Sequence, residues 1–189
     1  ATVGQMLNNW FWVIVGHLIG ATLYAVLYLI GITQLGHVTD HAMITKLVTV
    51  AEAKTLAYKS LGPDGMFVVF VKAMLCNWMV TLGAVMAMTA KSVIGKIVAM
   101  WLPILIFFAQ GFEHAVVNMF VIPAGMILGA DITMGEWWLW NQLPVLVGNL
   151  VSGFLFTGFA IYFTHKQKEG KSVFGLAKPK VAITNTQRN

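Results

Sequence analysis

The sequence predicts an all-α membrane protein, and three observations predict it. Hydrophobic residues make up 58% of the 189, charged residues only 10%, and the mean hydropathy is +0.77. A soluble domain of this length cannot bury that much apolar surface, so hydrocarbon is its natural solvent. The apolar residues also form continuous segments able to cross about 30 Å of bilayer core at about 1.5 Å per residue. Finally, positive charge collects at one end of the chain, as it does on the cytoplasmic flanks of membrane spans.

The first span runs from Trp10 to Ile32. No basic segment or cleavage signature precedes it, so it reads as a span and not as a signal peptide. The chain opens within a few residues of it on an alanine, which predicts a truncated start. A long connection from Gly36 to Asp64 follows, in which Ala42 to Tyr58 alternates apolar and polar residues at roughly helical spacing. Lys46, Glu52, Lys54 and Lys59 are available to one side. That pattern predicts an amphipathic or partly re-entering helix, ended by the break Gly62-Pro63-Asp64-Gly65.

The second span is Met66 to Ala90, with Lys72 inside it. Ile94 to Leu128 is too long for one simple span and carries Gln110, Gly111, Glu113 and His114 at its middle. We read it as a single span interrupted by a non-helical step, because such breaks occur where backbone lines a protected cavity. The last span is Leu143 to Phe163, and Trp137, Trp138 and Trp140 before it mark the outer interface, where amphipathic rings are favoured.

The net charge of +5 orients these spans. Lys166, Lys168, Lys171, Lys178, Lys180 and Arg188 follow the last one, which predicts a cytoplasmic carboxyl end. Counting back through four spans, Lys91 and Lys96 also lie inside, Asp131 and Glu136 outside, and the amino end inside. The chain thus divides into a partial transmembrane channel domain, 1–166, and a basic cytoplasmic tail, 167–189. The tail has a single aromatic residue, Phe174, and no aromatic interleaving pattern, so nucleic acid is not an expected partner.

Two spans echo each other: VGHLIGATLYAVLYLI from Val15 to Ile30, and VGNLVSGFLFTGFAIY from Val147 to Tyr162. An internally duplicated transporter or channel leaves such an echo. If the second repeat holds three spans, the first is expected to hold three as well, with two lying upstream of Ala1. Gly16 with Gly20, and Gly148 with Ser152, repeat a small-residue spacing that permits close helix approach, which is also a general feature of membrane packing.

Ionisable groups at bilayer depth need a partner or a water-facing position, which singles out Lys72, Glu113 and His114. His114 follows the polar break, near the amino end of a half-helix, where backbone N–H groups favour an anion and an imidazole can donate a hydrogen bond or a proton. A histidine simply buried against another helix is the competing reading. For Glu113 the simpler role is structural, accepting backbone hydrogen bonds that tighten the break. Asn118, one turn beyond His114, can orient groups across the break, and Asn77 and Asn149 can bridge backbone to helix. Lys72 can snorkel. Phe107 and Phe108 can narrow a pore against hydrated ions, or merely pack.

No metal site is expected. His37 and His41 have helical i, i+4 spacing and can meet on one face, but no cysteine or carboxylate completes a set. Cys76 stands alone inside a span, and there is no nucleotide-binding glycine loop or nucleophile elbow. Catalysis is therefore not expected, nor is a cofactor.

The runs AMLCNWMVTLGAVMA, Ala73 to Ala87, and FFAQGFEHAVVNMFVIPAGM, Phe107 to Met126, together with LPVLVGNLVSG, Leu143 to Gly153, and VGHLIGA, Val15 to Ala21, resemble the formate/nitrite transporter family. The resemblance covers about Gly4 to Lys166 and is to the C-terminal two-thirds only. It implies an aquaporin-like inverted-repeat helical bundle with the third to sixth transmembrane helices present and the fifth broken. It also implies a homopentamer with one pore per protomer, in the cytoplasmic (inner) membrane. The transported species would be small monovalent anions or their conjugate acids, formate first, with nitrite, hydrosulfide or another short-chain acid as alternatives.

Carried across, His114 would be the central pore histidine, supported by Asn118 and approached by Asn77. Phe107 would supply an aromatic lip of the cytoplasmic constriction, and Asn149 would hold a broken-helix loop. Lys54 would make the vestibule attractive to anions, with Lys59 as its rival. The third-helix pattern usually has Asn where this chain has His17, which implies a different loop-holding contact there. An aquaporin-like neutral-solute channel and a noncatalytic membrane assembly subunit are the readings from other classes; the Asn-Pro-Ala boxes usual in aquaporins are missing.

Overall fold

The computed structural model describes residues 2–168, a bundle of helices joined by short turns. In order these are α1 (Val3–Thr33), α2 (Ala42–Ser60), α3 (Pro63–Thr89), α4 (Val93–Ala109), α5 (Ala115–Ile127) and α6 (Met134–Lys166). Two π-helical stretches, Trp138–Gln142 and Gly153–Gly158, interrupt α6. Lys171, Lys178, Lys180 and Arg188 of the expected basic tail lie outside the described residues, as does the side chain of Lys168.

Helices α1, α3 and α6 are each long and apolar enough to cross a membrane. The 17-residue α4 and 13-residue α5 measure about 25 and about 20 Å at 1.5 Å per residue, so neither crosses alone. They are the two halves of the interrupted span, parted after Gln110 where Gly111 takes a left-handed φ of +63°. The all-α, multi-spanning bundle is thus the fold the apolar pattern predicts.

The helix ends differ from the apolar boundaries because capping sets them, not hydropathy. α1 starts at Val3, ahead of Trp10, on a capping box between Thr2 and Gln5. α3 starts at Pro63 and not at Met66, since proline is pre-organised for the first helical position and Gly62 supplies the positive φ before it. α6 starts at Met134, nine residues before Leu143, on a second capping box between Thr133 and Glu136.

Two further expectations are corrected. His37 and His41 share no helix face: His37 lies in the turn after α1, while His41 caps α2, its Nδ1 accepting from the Met43 N–H at 3.2 Å. Trp137 is not an interfacial ring. It is buried in the core with Ala51, Met119 and Ile122, and its indole N–H donates to Gln142 Oε1 at 3.2 Å.

α5 occupies the centre, packed between α1 and α2, while α3 carries α4 on one side and α6 on the other. α2 buries Leu47, Ala51, Thr55 and Tyr58, a single stripe at helical spacing, against α5. Gly148 lets α6 approach α3: a Cβ there would lie 2.7 Å from both the Phe70 carbonyl oxygen and the Ala73 Cβ. Gly148→Ala is expected to destabilise the fold by about 1–3 kcal/mol through this overpacking. The check is the Tm of the full-length protein in detergent, and an unchanged Tm would show that the two helices are free to move apart.

Candidate functional site

The break between α4 and α5 is held by α6. Asn149 Nδ2 donates to the carbonyls of Ala73, at 2.8 Å, and Glu113, at 3.0 Å, while its Oδ1 accepts from the Ala115 N–H at 3.0 Å. One side chain thus ties α3 and both ends of the α5 entry to α6. Asn77 Nδ2 in turn donates to the Asn149 carbonyl at 2.6 Å. Asn77, expected to approach the histidine, thus has its amide nitrogen on the backbone of α6.

His114 is the N-cap of α5, with extended backbone at φ −111° and ψ 120°. Its Nδ1 accepts from the N–H groups of Val116 at 3.2 Å and Val117 at 3.4 Å. Because Nδ1 spends its lone pair on two donors, the proton of the neutral ring sits on Nε2. The ring stacks on Phe107, centroids 5.7 Å apart at 21°. Phe107 stacks in turn on Phe108, at 4.6 Å and 26°.

His114 and Phe108 line a cavity of about 740 Å³ between α1 and the start of α5. Val117, Phe120 and Val121 are among the residues on its α5 side, and His17, Gly20 and Tyr24 among those on its α1 side. It is Phe108, 53% exposed, that faces this space, whereas Phe107 is buried at 3% and backs the imidazole. The expected aromatic lip at Phe107 is therefore placed behind the histidine, not at the opening.

Glu113 is also buried, but it does not accept backbone hydrogen bonds, as expected of it. The imidazole of His114 already occupies the helix cap, so the carboxylate turns toward α2 and α6. It accepts from Lys54 Nζ at 2.9 Å, the Tyr58 hydroxyl at 2.8 Å, Asn118 Nδ2 at 2.7 Å and Asn141 Nδ2 at 3.2 Å. Asn118, expected to support the histidine, turns its amide to Glu113 and to Asn141 Oδ1, 2.9 Å away. Only its backbone N–H reaches His114, donating to the carbonyl at 2.9 Å.

Lys54 and Lys59 separate cleanly. Lys54 pairs with Glu113 and is 16% exposed, whereas Lys59 meets Glu136 at 2.6 Å on the surface with 49% exposure. Exposed pairs contribute little. Lys59→Ala is expected to leave the Tm unchanged within error while Lys54→Ala lowers it measurably; equal losses would mean both pairs matter alike. Lys72 does not simply snorkel: its ammonium lies 5.5 Å from the centre of the Tyr58 ring and 3.3 Å from its hydroxyl.

Sequence reasoning missed Tyr58, Asn141 and Gln142. Tyr58 stands one helical turn after Lys54, a spacing that could have paired them on one face. Asn141 also donates to the Lys54 carbonyl at 2.8 Å, and Gln142 Nε2 to the Ala115 carbonyl at 3.3 Å. Both lie in the first π-helical stretch of α6, and such stretches gather at functional sites. Among the described residues, no three His, Cys, Asp or Glu side chains come together as a metal site.

A family model described as formate/nitrite transporter matches residues 1–163. A "Probable formate transporter" of Methanothermobacter thermautotrophicus is 34% identical over 172 residues, covering 87% of this chain and 61% of that protein. A "Formate channel BtFdhC" of Bacillus thuringiensis is 36% identical over 171 residues, 89% of this chain and 60% of that one. Among solved structures, a "Pentameric formate channel with formate bound" superposes with a TM-score of 0.68 at 22% identity, over 86% of this chain and 67% of that one; at this identity it shows the fold alone.

The chain spans about 60% of the length of the curated relatives it matches. The expected confinement of the resemblance to the C-terminal two-thirds is corrected, because the match starts at residue 1 and ends at 163. A protein built of apolar helices, with a broken span capped by an imidazole beside a cavity, sits among transporters and not among enzymes: the chain belongs to the formate/nitrite transporter family.

Proposed function

We propose that the whole protein is a channel for small monovalent anions or their conjugate acids, formate foremost, across the cytoplasmic membrane. The observation that carries this reading is the imidazole of His114: it lines an apolar cavity, with Nδ1 committed to the backbone and Nε2–H left over as a donor. The names of the similar transporter and channel support formate as the first substrate, and nitrite, hydrosulfide and other short-chain acids share its size and charge. The pentameric assembly named for the similar structure is in keeping with a homopentamer.

In this reading, the amino end of α5 supplies positive potential that draws the anion in, while Lys54 balances the Glu113 carboxylate behind it. Apolar walls such as Phe108 and Phe120 strip its hydration, which penalises the charged form. Nε2–H of His114 donates a hydrogen bond to the dehydrated oxygen, and a proton from water lets the neutral acid cross. A second proton on the ring would set N–H against the Val116 and Val117 donors and undo the cap, so His114 works as a neutral donor. Asn149 and Asn77 keep that donor in place, while Glu113, with Asn118 and Asn141, anchors the α5 entry. The lysines after α6 support a cytoplasmic carboxyl end.

The test is flux through the full-length native protein in liposomes, using formate, nitrite and hydrosulfide with glycerol as the neutral solute. Saturable formate flux, competed by nitrite and faster than glycerol, is expected. Glycerol flux without anion competition would establish the neutral-solute alternative, and no flux from folded protein would leave a structural membrane subunit.

A further inference from the structure

The cavity beside His114 has a second imidazole that the reading above does not use. His17 lies on α1 in the same wall of residues, and its Nδ1 is 2.8 Å from the Val13 carbonyl of its own helix. A carbonyl oxygen only accepts, so His17 carries its proton on Nδ1 and leaves the Nε2 lone pair free. His114 has the opposite arrangement, with Nδ1 accepting and Nε2–H free. The two rings that border the cavity are therefore complementary, one a donor and the other an acceptor.

The internal echo sharpens the point. Val15-Gly16-His17 corresponds to Val147-Gly148-Asn149, yet Asn149 ties three backbone groups together while the described contact of His17 is to its own helix. An amide at position 17 could hold backbone equally well; only an imidazole also titrates near neutral pH.

Resting on the proposed anion channel, we propose that His17 is a second, proton-exchanging residue of the path, which binds the conjugate acid jointly with His114. One oxygen of the acid accepts from His114 Nε2–H while its O–H donates to His17 Nε2. On transfer the O–H bond breaks, its electron pair stays on the carboxylate, and an N–H bond forms on His17, giving an imidazolium beside the anion. The reverse step returns the proton and releases the neutral acid. This is acid–base exchange and consumes no other reactant.

The electrostatic surroundings suit it. On α1 the other titratable group lining the cavity is the Tyr24 phenol, and α5, the element packed closely against α1, has no acidic or basic side chain within it. At its cap stands His114, and behind that Lys54 and Glu113 face each other as a pair. Among the described residues a charge gained by His17 thus faces no carboxylate in the cavity wall, and the entering anion is its counter-ion.

The experiment compares full-length wild type with His17→Asn in liposomes, with formate as the probe. From about pH 7.5 to about pH 5, the ratio of wild-type to variant flux is expected to rise about tenfold, equal to one 1.4 kcal/mol step in barrier. A ratio constant with pH overturns the proposal and leaves His17 a backbone-holding residue. Nitrogen-15 NMR of labelled histidine in detergent separates the two readings if wild type carries no formate. A formate-dependent shift of the His17 resonance supports the site even where the channel reading fails, and its absence overturns both.

Discussion

Glu113→Ala is expected to destabilise the folded protein by about 3–5 kcal/mol, the cost of leaving a buried ionic partner uncompensated. The carboxylate is 1% exposed and receives donors from α2, α5 and α6, so its loss strands Lys54 and the Tyr58 hydroxyl and takes one of two acceptors from the Asn118 and Asn141 amides. Each buried donor left without an acceptor keeps its desolvation penalty. The double variant Glu113→Ala with Lys54→Met is expected to recover part of the loss, because an apolar replacement of both partners removes the stranded charge. Chemical denaturation of the full-length protein in detergent reads both effects. A Glu113→Ala variant as stable as wild type would mean that the network orders the break without stabilising it.

This network shows where sequence reasoning reached and where it stopped. The break itself was legible because Gln110-Gly111 interrupts an apolar run longer than one crossing, and backbone parted at that depth must be held by protein. The buried stripe of α2 was legible in its helical period. Which lysine meets Glu113 was not, since Lys54 and Lys59 both belong to the charged side of one sequence pattern. They differ by five residues, about 140° around a helix at 3.6 residues per turn, and only the docking of α2 on α5 turns one inward.

The amides were misread for a similar reason. Spacing puts Asn118 on the same face of α5 as His114, but a side chain chooses among neighbours from other helices, and the strongest acceptor nearby is the Glu113 carboxylate. Asn141 and Gln142 look like the polar end of a connection because hydropathy averages residues without seeing their partners. Inside α6 they are fully buried, with donors and acceptors on α2, α5 and Trp137 to satisfy them. His17 was visible as a departure from a pattern, but its tautomer followed only from the position of the Val13 carbonyl.

The second large effect is expected from His114→Asn. An asparagine oxygen is as good an N-cap acceptor as any side chain, so α5 and the break remain formed. The imidazole Nε2–H at the cavity gives way to the amide N–H of a shorter side chain, set back toward the helix, and the stacking on Phe107 is lost. A hydrogen bond to a charged or partly charged oxygen is worth about 1.5–3 kcal/mol, so formate flux is expected to fall by about tenfold to hundredfold while the Tm changes little. His114→Leu, which keeps neither cap nor donor, is expected to lose stability as well.

In the proposed channel, the neutral imidazole at the start of α5 is the hydrogen-bond donor of the anion path. The measurement that tests it most directly is formate flux through full-length His114→Asn in liposomes, beside wild type, over about pH 4 to about pH 8, which brackets histidine titration. Folded protein with reduced flux and an altered pH profile is expected. Flux equal to wild type at every pH would contradict it.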